Sequence, residues 1–106
     1  PILNVREGLS LEQAVEAPLR GLERAEQDHD IVARVIVCAI RNFAPNVSRE
    51  LAELAVGYRH RGVVGFDLAG GEVNNPASRH VADLVERGYL MKIGSNRGTY
   101  YILRDK

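Results

Sequence analysis

The sequence predicts one small α/β domain in the order α-β-α-β-α-β-β, with a small, mainly parallel sheet that ends in a C-terminal β-hairpin. Three observations carry this. Two short runs, "ARVIVCAI" and "VVGFDLA", are almost wholly apolar and rich in β-branched residues, as strands buried on both faces are. Three stretches with apolar residues at helical spacing alternate with them. The last two strand-like runs, "YLMKI" and "TYYIL", are joined by Gly94-Ser95-Asn96-Arg97-Gly98, a hairpin loop of five residues. Alternating helices and strands favour a layered sheet with right-handed crossovers.

Taken in order, Ser10-Leu11-Glu12-Gln13 fits a capping box, in which Ser10 and Gln13 each satisfy a free helix-end donor. Leu11, Ala14, Val15, Leu19, Leu22 and Ala25 then form one apolar stripe. Pro18 interrupts it, removing a backbone donor at a cost of roughly 3 kcal/mol in a regular helix, so the first helix is expected to kink and to end near Asp28. The first strand spans Ala33 to Ile40. Pro45 and Asn46 then break the chain, Ser48 is the expected N-cap of the second helix, and Leu51, Leu54, Ala55 and Tyr58 form its stripe. Gly62 punctuates before the second strand. Asn74, Asn75 and Pro76 mark a turn into a third helix with Ala77, Val81, Leu84 and Val85 on its apolar face. Gly88 ends that helix at the usual C-cap position.

The 106 residues suffice for a single domain spanning 1–106, and no apolar run reaches the length of a membrane span. No signal peptide is visible, and the first residue is Pro1, which reads as a processed or trimmed start. Cys38 is the lone cysteine, so an intramolecular disulfide is excluded. The expectation is one buried thiol in a reduced, cytoplasmic or recombinant protein that is not secreted. Net charge is zero, but eight arginines face eleven acidic residues up to Val73, and six basic residues face three acidic ones from Asn74 onward. A field that weak steers nothing strongly to nucleic acid.

Residues 1–72 carry "EGLSLEQAVEA", "ARVIVCAIRNF", "SRELAELA" and "GVVGFDLAGGE", and this segment resembles a central fragment of the adenosine deaminase TIM barrel. Asp67, Leu68, Ala69, Gly70 and Glu72 fit the family's D-L-A-G-D-E motif, with Gly71 in place of its second Asp. The resemblance implies a metal-dependent barrel in which Gly70 offers its backbone to a purine. A glycine at the carboxyl end of a barrel strand suits close ligand approach. The resemblance implies a zinc held by histidines and an aspartate, with a glutamate in an H-A-G-E motif as proton shuttle. This chain has no H-x-H and no H-A-G-E, and His29, His60 and His80 fit no ligand spacing. No metal, no cofactor and no catalytic residue is therefore expected.

From Asn75 to Leu103, "PASRHVADLVERGYLMKIGSNRGTYYIL" resembles the recognition helix and wing of a winged-helix domain, as in bacterial regulators and at the C-terminus of Fic-type proteins. That resemblance implies nucleic-acid contacts by Ser78, Arg79 and His80 on the helix and by Lys92 and Arg97 on the wing. Two earlier helices that would hold such a reader on a duplex are replaced here by barrel-like sequence. The combined expectation is a chimera, engineered or recombined, of a deaminase-like fragment (1–72) and a winged-helix-like fragment (73–106). It would be a non-enzymatic folding scaffold able to pair with itself through open sheet edges. The alternative is a weak DNA-binding module, and a third reading is residual purine binding at Gly70 without catalysis. Duplex nucleic acid is expected to bind weakly or not at all, and no membrane partner is expected.

Overall fold

The computed structural model describes residues 8–40, 45–69, 79, 81–94 and 99–104. Helix α1 spans Leu11–Asp28, with the capping box in place: Gln13 N–H donates to Ser10 Oγ at 3.1 Å, and Ser10 N–H donates to Gln13 Oε1 at 2.9 Å. The helix runs through Pro18, which lies on its exposed side, while Ala14, Val15 and Leu19 are buried. Strand β1 covers Val35–Ile40 and helix α2 covers Pro45–Gly57.

The start of α2 corrects the expected cap. Pro45 opens the helix, where its missing N–H is one that has no helical partner anyway. Ser48 is consequently inside the helix, fully buried, with its hydroxyl lacking a hydrogen-bond partner. A 3-10 turn at Arg59–Arg61 ends on Gly62, whose φ of 109° is a left-handed conformation open to glycine, and leads into strand β2, Val63–Ala69. Helix α3 is short, Ala82–Glu86, and Gly88 follows it with φ 83°, the expected left-handed stop. Strands β3, Leu90–Ile93, and β4, Tyr100–Leu103, close the order as the sequence predicts.

The four strands form one mixed sheet in the spatial order β1-β2-β4-β3. β1 and β2 are parallel, and β4 is antiparallel to both β2 and β3. Three strands therefore run one way, with β4 reversed among them. A register shift near Val35 and Ile36 opposes Val35 to Val63 and Ile36 to Gly65, leaving Val64 as the extra residue. That bulge explains why Val63 and Phe66, an odd step apart, are both buried.

One face of the sheet is the core. Val37, Ala39, Phe66, Leu68, Leu90 and Tyr101 pack with Leu51, Ala52 and Ala55 of α2, with Val15 and Leu19 of α1, and with Val81 and Leu84. Phe66 and Tyr101 meet with ring centroids 6.0 Å apart. The opposite face corrects a second expectation, since β1 and β2 are buried on one side only. Ile36, Gly65, Ile102 and Met91 lie in register across all four strands, and Ile36 is 65 % exposed, Met91 41 % and Ile102 38 %. The all-apolar runs misled because composition reports two apolar faces and does not report whether both are covered.

Candidate functional site

The first three residues of the D-L-A-G-G-E stretch, Asp67, Leu68 and Ala69, form the carboxyl end of β2. Alternation along the strand places Leu68 in the core, opposite Ala39, and places Asp67 and Ala69 on the uncovered face, opposite Cys38 and Ile40. The uncovered face thus carries Asp67 and Ala69 at the carboxyl end of β2. Gly70 itself lies outside the described residues, as do Ser78, His80 and Arg97. Asp67 is half-buried beside Cys38. The Cys38 thiol is only partly buried, not enclosed as expected, and its Sγ lies 3.5 Å from the Ala39 carbonyl oxygen. Desolvation first, and the Asp67 carboxylate second, push its pKa up. The thiol is therefore held in its protonated form and is a poor nucleophile at neutral pH.

Two of the residues nominated for nucleic acid come together. Arg79 and Lys92 both line a cavity of about 350 Å³. Ala82 and Val85 of α3, Tyr101 and Glu86 complete its wall. Glu86 offsets one of the two cations, so the cavity carries little net charge. Lys92 and Arg79 are both exposed.

A second cavity, about 330 Å³, lies at the opposite end of the sheet, where β1 and β2 begin. Its charges are largely matched. Glu26 accepts the Ala33 N–H at 2.8 Å and the Arg34 guanidinium at 2.7 Å, and Glu23 pairs with Arg61 at 3.5 Å. The Ala33 amide, with Arg34 after it, holds the Glu26 carboxyl below its ordinary range. This end reads as closure of the strand starts, since ligands in barrel-type sheets sit at the carboxyl ends.

Among the described residues no three His, Cys, Asp or Glu side chains converge as metal ligands. His29 and His60 are both exposed. Sequence reasoning missed the contacts that tie the elements together. Arg49 on α2 pairs with Glu53 and also with Asp83 on α3. Tyr58 donates its hydroxyl to Glu16 of α1 at 2.7 Å. The i,i+4 spacing of Arg49 and Glu53 was a readable signal, but nothing in the sequence points Arg49 at Asp83. No helix among the described residues is long and apolar enough to cross a membrane.

Residues 1–91 match the adenosine deaminase family. The adenosine deaminase of Mycobacterium avium is 44 % identical over 86 residues, which is 76 % of this chain and 23 % of that protein. That of Mycobacterium leprae is 41 % identical over 86 residues, with the same coverage. A probable adenosine deaminase of Dictyostelium discoideum is 42 % identical over 80 residues, 76 % of this chain and 10 % of that protein. The chain thus spans a quarter or less of the length of these relatives. The match overturns the expected chimera, because it extends well past Glu72, across the place where two recombined fragments were to meet. The core agrees: Val81 and Leu84, from beyond that place, are buried in one cluster with Val37 and Phe66 from before it. An engineered or recombined scaffold is not needed to explain a sequence that one family covers to residue 91. The chain belongs to the adenosine deaminase family.

Proposed function

We propose that this chain is a piece of the wall of an adenosine deaminase and that its task is to present the β2 strand end, Asp67 to Gly70, to the nucleoside. The carrying observation is that the family match coincides with a parallel β1–β2 pair whose uncovered face holds Asp67 and Ala69 at the carboxyl end of β2. In that role the covered face of the strands supplies rigidity through Phe66 and Leu68. The uncovered face, with Asp67 and Ala69, turns toward the ligand side. The resemblance gives Gly70 the role of bringing backbone close to the purine.

Deamination by the chain on its own is not part of this reading. The family's zinc would need ligands that the described residues do not bring together. The test is an adenosine deamination assay of the 106-residue chain, with zinc supplied, against the same chain mixed with a polypeptide carrying the rest of a relative's barrel. The expected outcome is no turnover for the chain alone and measurable turnover for the mixture. Turnover by the chain alone would remove the second half of the proposal. Failure of a soluble, associating mixture to turn over adenosine would remove the first.

The winged-helix likeness describes a local shape, a short helix followed by the β3–β4 pair, with Arg79 and Lys92 on one cavity. With Glu86 beside them, duplex DNA is expected to bind weakly and without sequence preference at physiological salt. Fluorescence anisotropy showing tight binding of one duplex over scrambled controls would overturn that. Any self-association would use the outer strands, because among the described residues β1 and β3 each pair on one side only. Light scattering that gives a monomer mass of 11.7 kDa at high concentration would refute it.

A further inference from the structure

β3 runs parallel to β2, because β4 is antiparallel to both. Helix α3 lies between β2 and β3 in the chain, so β2–α3–β3 is a strand–helix–strand unit of the kind that builds parallel sheets. In such units the two strands normally lie side by side, since consecutive parallel strands are usually neighbours. Here they do not, because β4 sits between them. The family match covers β1, β2, α3 and the start of β3 and ends at residue 91, so β4 comes entirely from residues outside it.

The two seams of β4 differ. Against β3 it is in register along its whole length, from Tyr100 opposite Ile93 to Leu103 opposite Leu90. Against β2 the register covers Gly65 with Ile102 and Phe66 with Tyr101. The β2 seam is anchored by one buried aromatic pair, Phe66 and Tyr101. It also relies on a glycine: a methyl group at Gly65 would stand 3.4 Å from the Tyr101 carbonyl oxygen and 3.3 Å from Ile36 Cγ1.

We propose that β4 is a wedge. It occupies the edge of β2 that β3 would take, and so holds open a parallel unit that the family-matched residues would close by themselves. In this chain β4 is therefore an internal competitor for completion of the deaminase-type wall. With β4 displaced, β3 moves one strand position, about 5 Å, to pair with β2. The idea rests on the family match and the sheet order, and not on whether the chain serves catalysis.

Nuclear magnetic resonance of two variants tests it. The first, Ile102→Pro in the full chain, removes an N–H and adds a ring in the middle of a strand paired on both sides, a position proline does not tolerate. Ile102 points to the uncovered face, so the core loses nothing directly. The second variant ends at Gly94 and lacks β4 altogether. In the unaltered chain, backbone proton cross-peaks should link β2 to β4 and β4 to β3, with none between β2 and β3. The expected result is that backbone cross-peaks between β2 and β3 appear in at least one variant while those between β1 and β2 persist. Their absence from both variants, whether β3 detaches or the whole sheet is lost, overturns the proposal, because β4 would then be a required member of the sheet.

Discussion

Ser48 is the residue whose local chemistry disagrees most with its surroundings. Its hydroxyl is fully buried on α2 without a hydrogen-bond partner. A buried polar group left unpaired costs about 1–3 kcal/mol, and alanine is also the better helix former. Ser48→Ala is therefore expected to stabilise the domain by about 1 kcal/mol, read as a higher urea midpoint with an unchanged slope. A lower midpoint would mean that the hydroxyl has a partner such as an enclosed water. Leu84 shows the ordinary opposite case. It is 3 % exposed and sits in the main cluster. Leu84→Ala should cost roughly 2–5 kcal/mol, the range for a buried leucine truncation. Denaturation that shows no loss would mean that α3 does not hold the C-terminal strands to the core.

At the scale of elements, α1 keeps an avoidable defect. Pro18 lies well inside the helix on its exposed side, so the Ala14 carbonyl has no helical N–H to accept. Nothing apolar depends on the ring. Pro18→Ala should raise the denaturation midpoint, with a gain of up to about 3 kcal/mol. An unchanged midpoint would mean that the packing of Val15 and Leu19 already sets the backbone around Pro18. Most elements were legible because each has a local cause: the Ser10–Gln13 box, the break at Gly62, the left-handed stop at Gly88, and β2 from Val63 to Ala69. What was not legible is non-local. The sequence suggested Ser48 as a cap because serine caps well, yet Pro45 fits the first helical position and moved the start forward. The covering of a strand's second face depends on what else is present, so "VIVCAI" could not reveal that Ile36 would be exposed. The strand order was equally hidden, because β4's place between β2 and β3 depends on Tyr101 meeting Phe66. At the candidate site, Gly70 was readable through its motif, whereas nothing local announced that Arg79 and Lys92 would share a cavity.

For the whole molecule, the question is what joins the C-terminal helix and strands to the rest. Apolar contact through Val81, Leu84 and Tyr101 and the pairing of β4 with β2 both join them. Polar contacts add to this: Arg49 on α2 pairs with Asp83 on α3, Arg87 lies 4.0 Å from the same carboxylate, and the Arg59 guanidinium stands over the Tyr89 ring at 5.3 Å. The hydrogen bond from Arg49, and then its charge, hold the Asp83 carboxyl below the ordinary aspartate range. A carboxyl whose pKa is lower in the folded than in the unfolded chain stabilises the fold once pH exceeds the unfolded value, about 4. That contribution disappears as pH falls through the folded value. Glu26, lowered by the Ala33 amide and Arg34, acts in the same direction at the other end of the sheet. The chain should therefore lose stability progressively below about pH 4. Asp83→Asn isolates the share of the α2–α3 tie. The variant should be less stable than the unaltered chain at pH 7, and the difference should shrink as pH falls below about 4 and vanish once Asp83 is protonated in both states. Because the Asp83 side chain is half exposed, the difference should be modest and should fall further in molar salt. Urea midpoints for both proteins at several pH values decide it. A difference that persists undiminished at low pH would show that Asp83 matters by its shape or its place in α3, and not through its charge pair with Arg49.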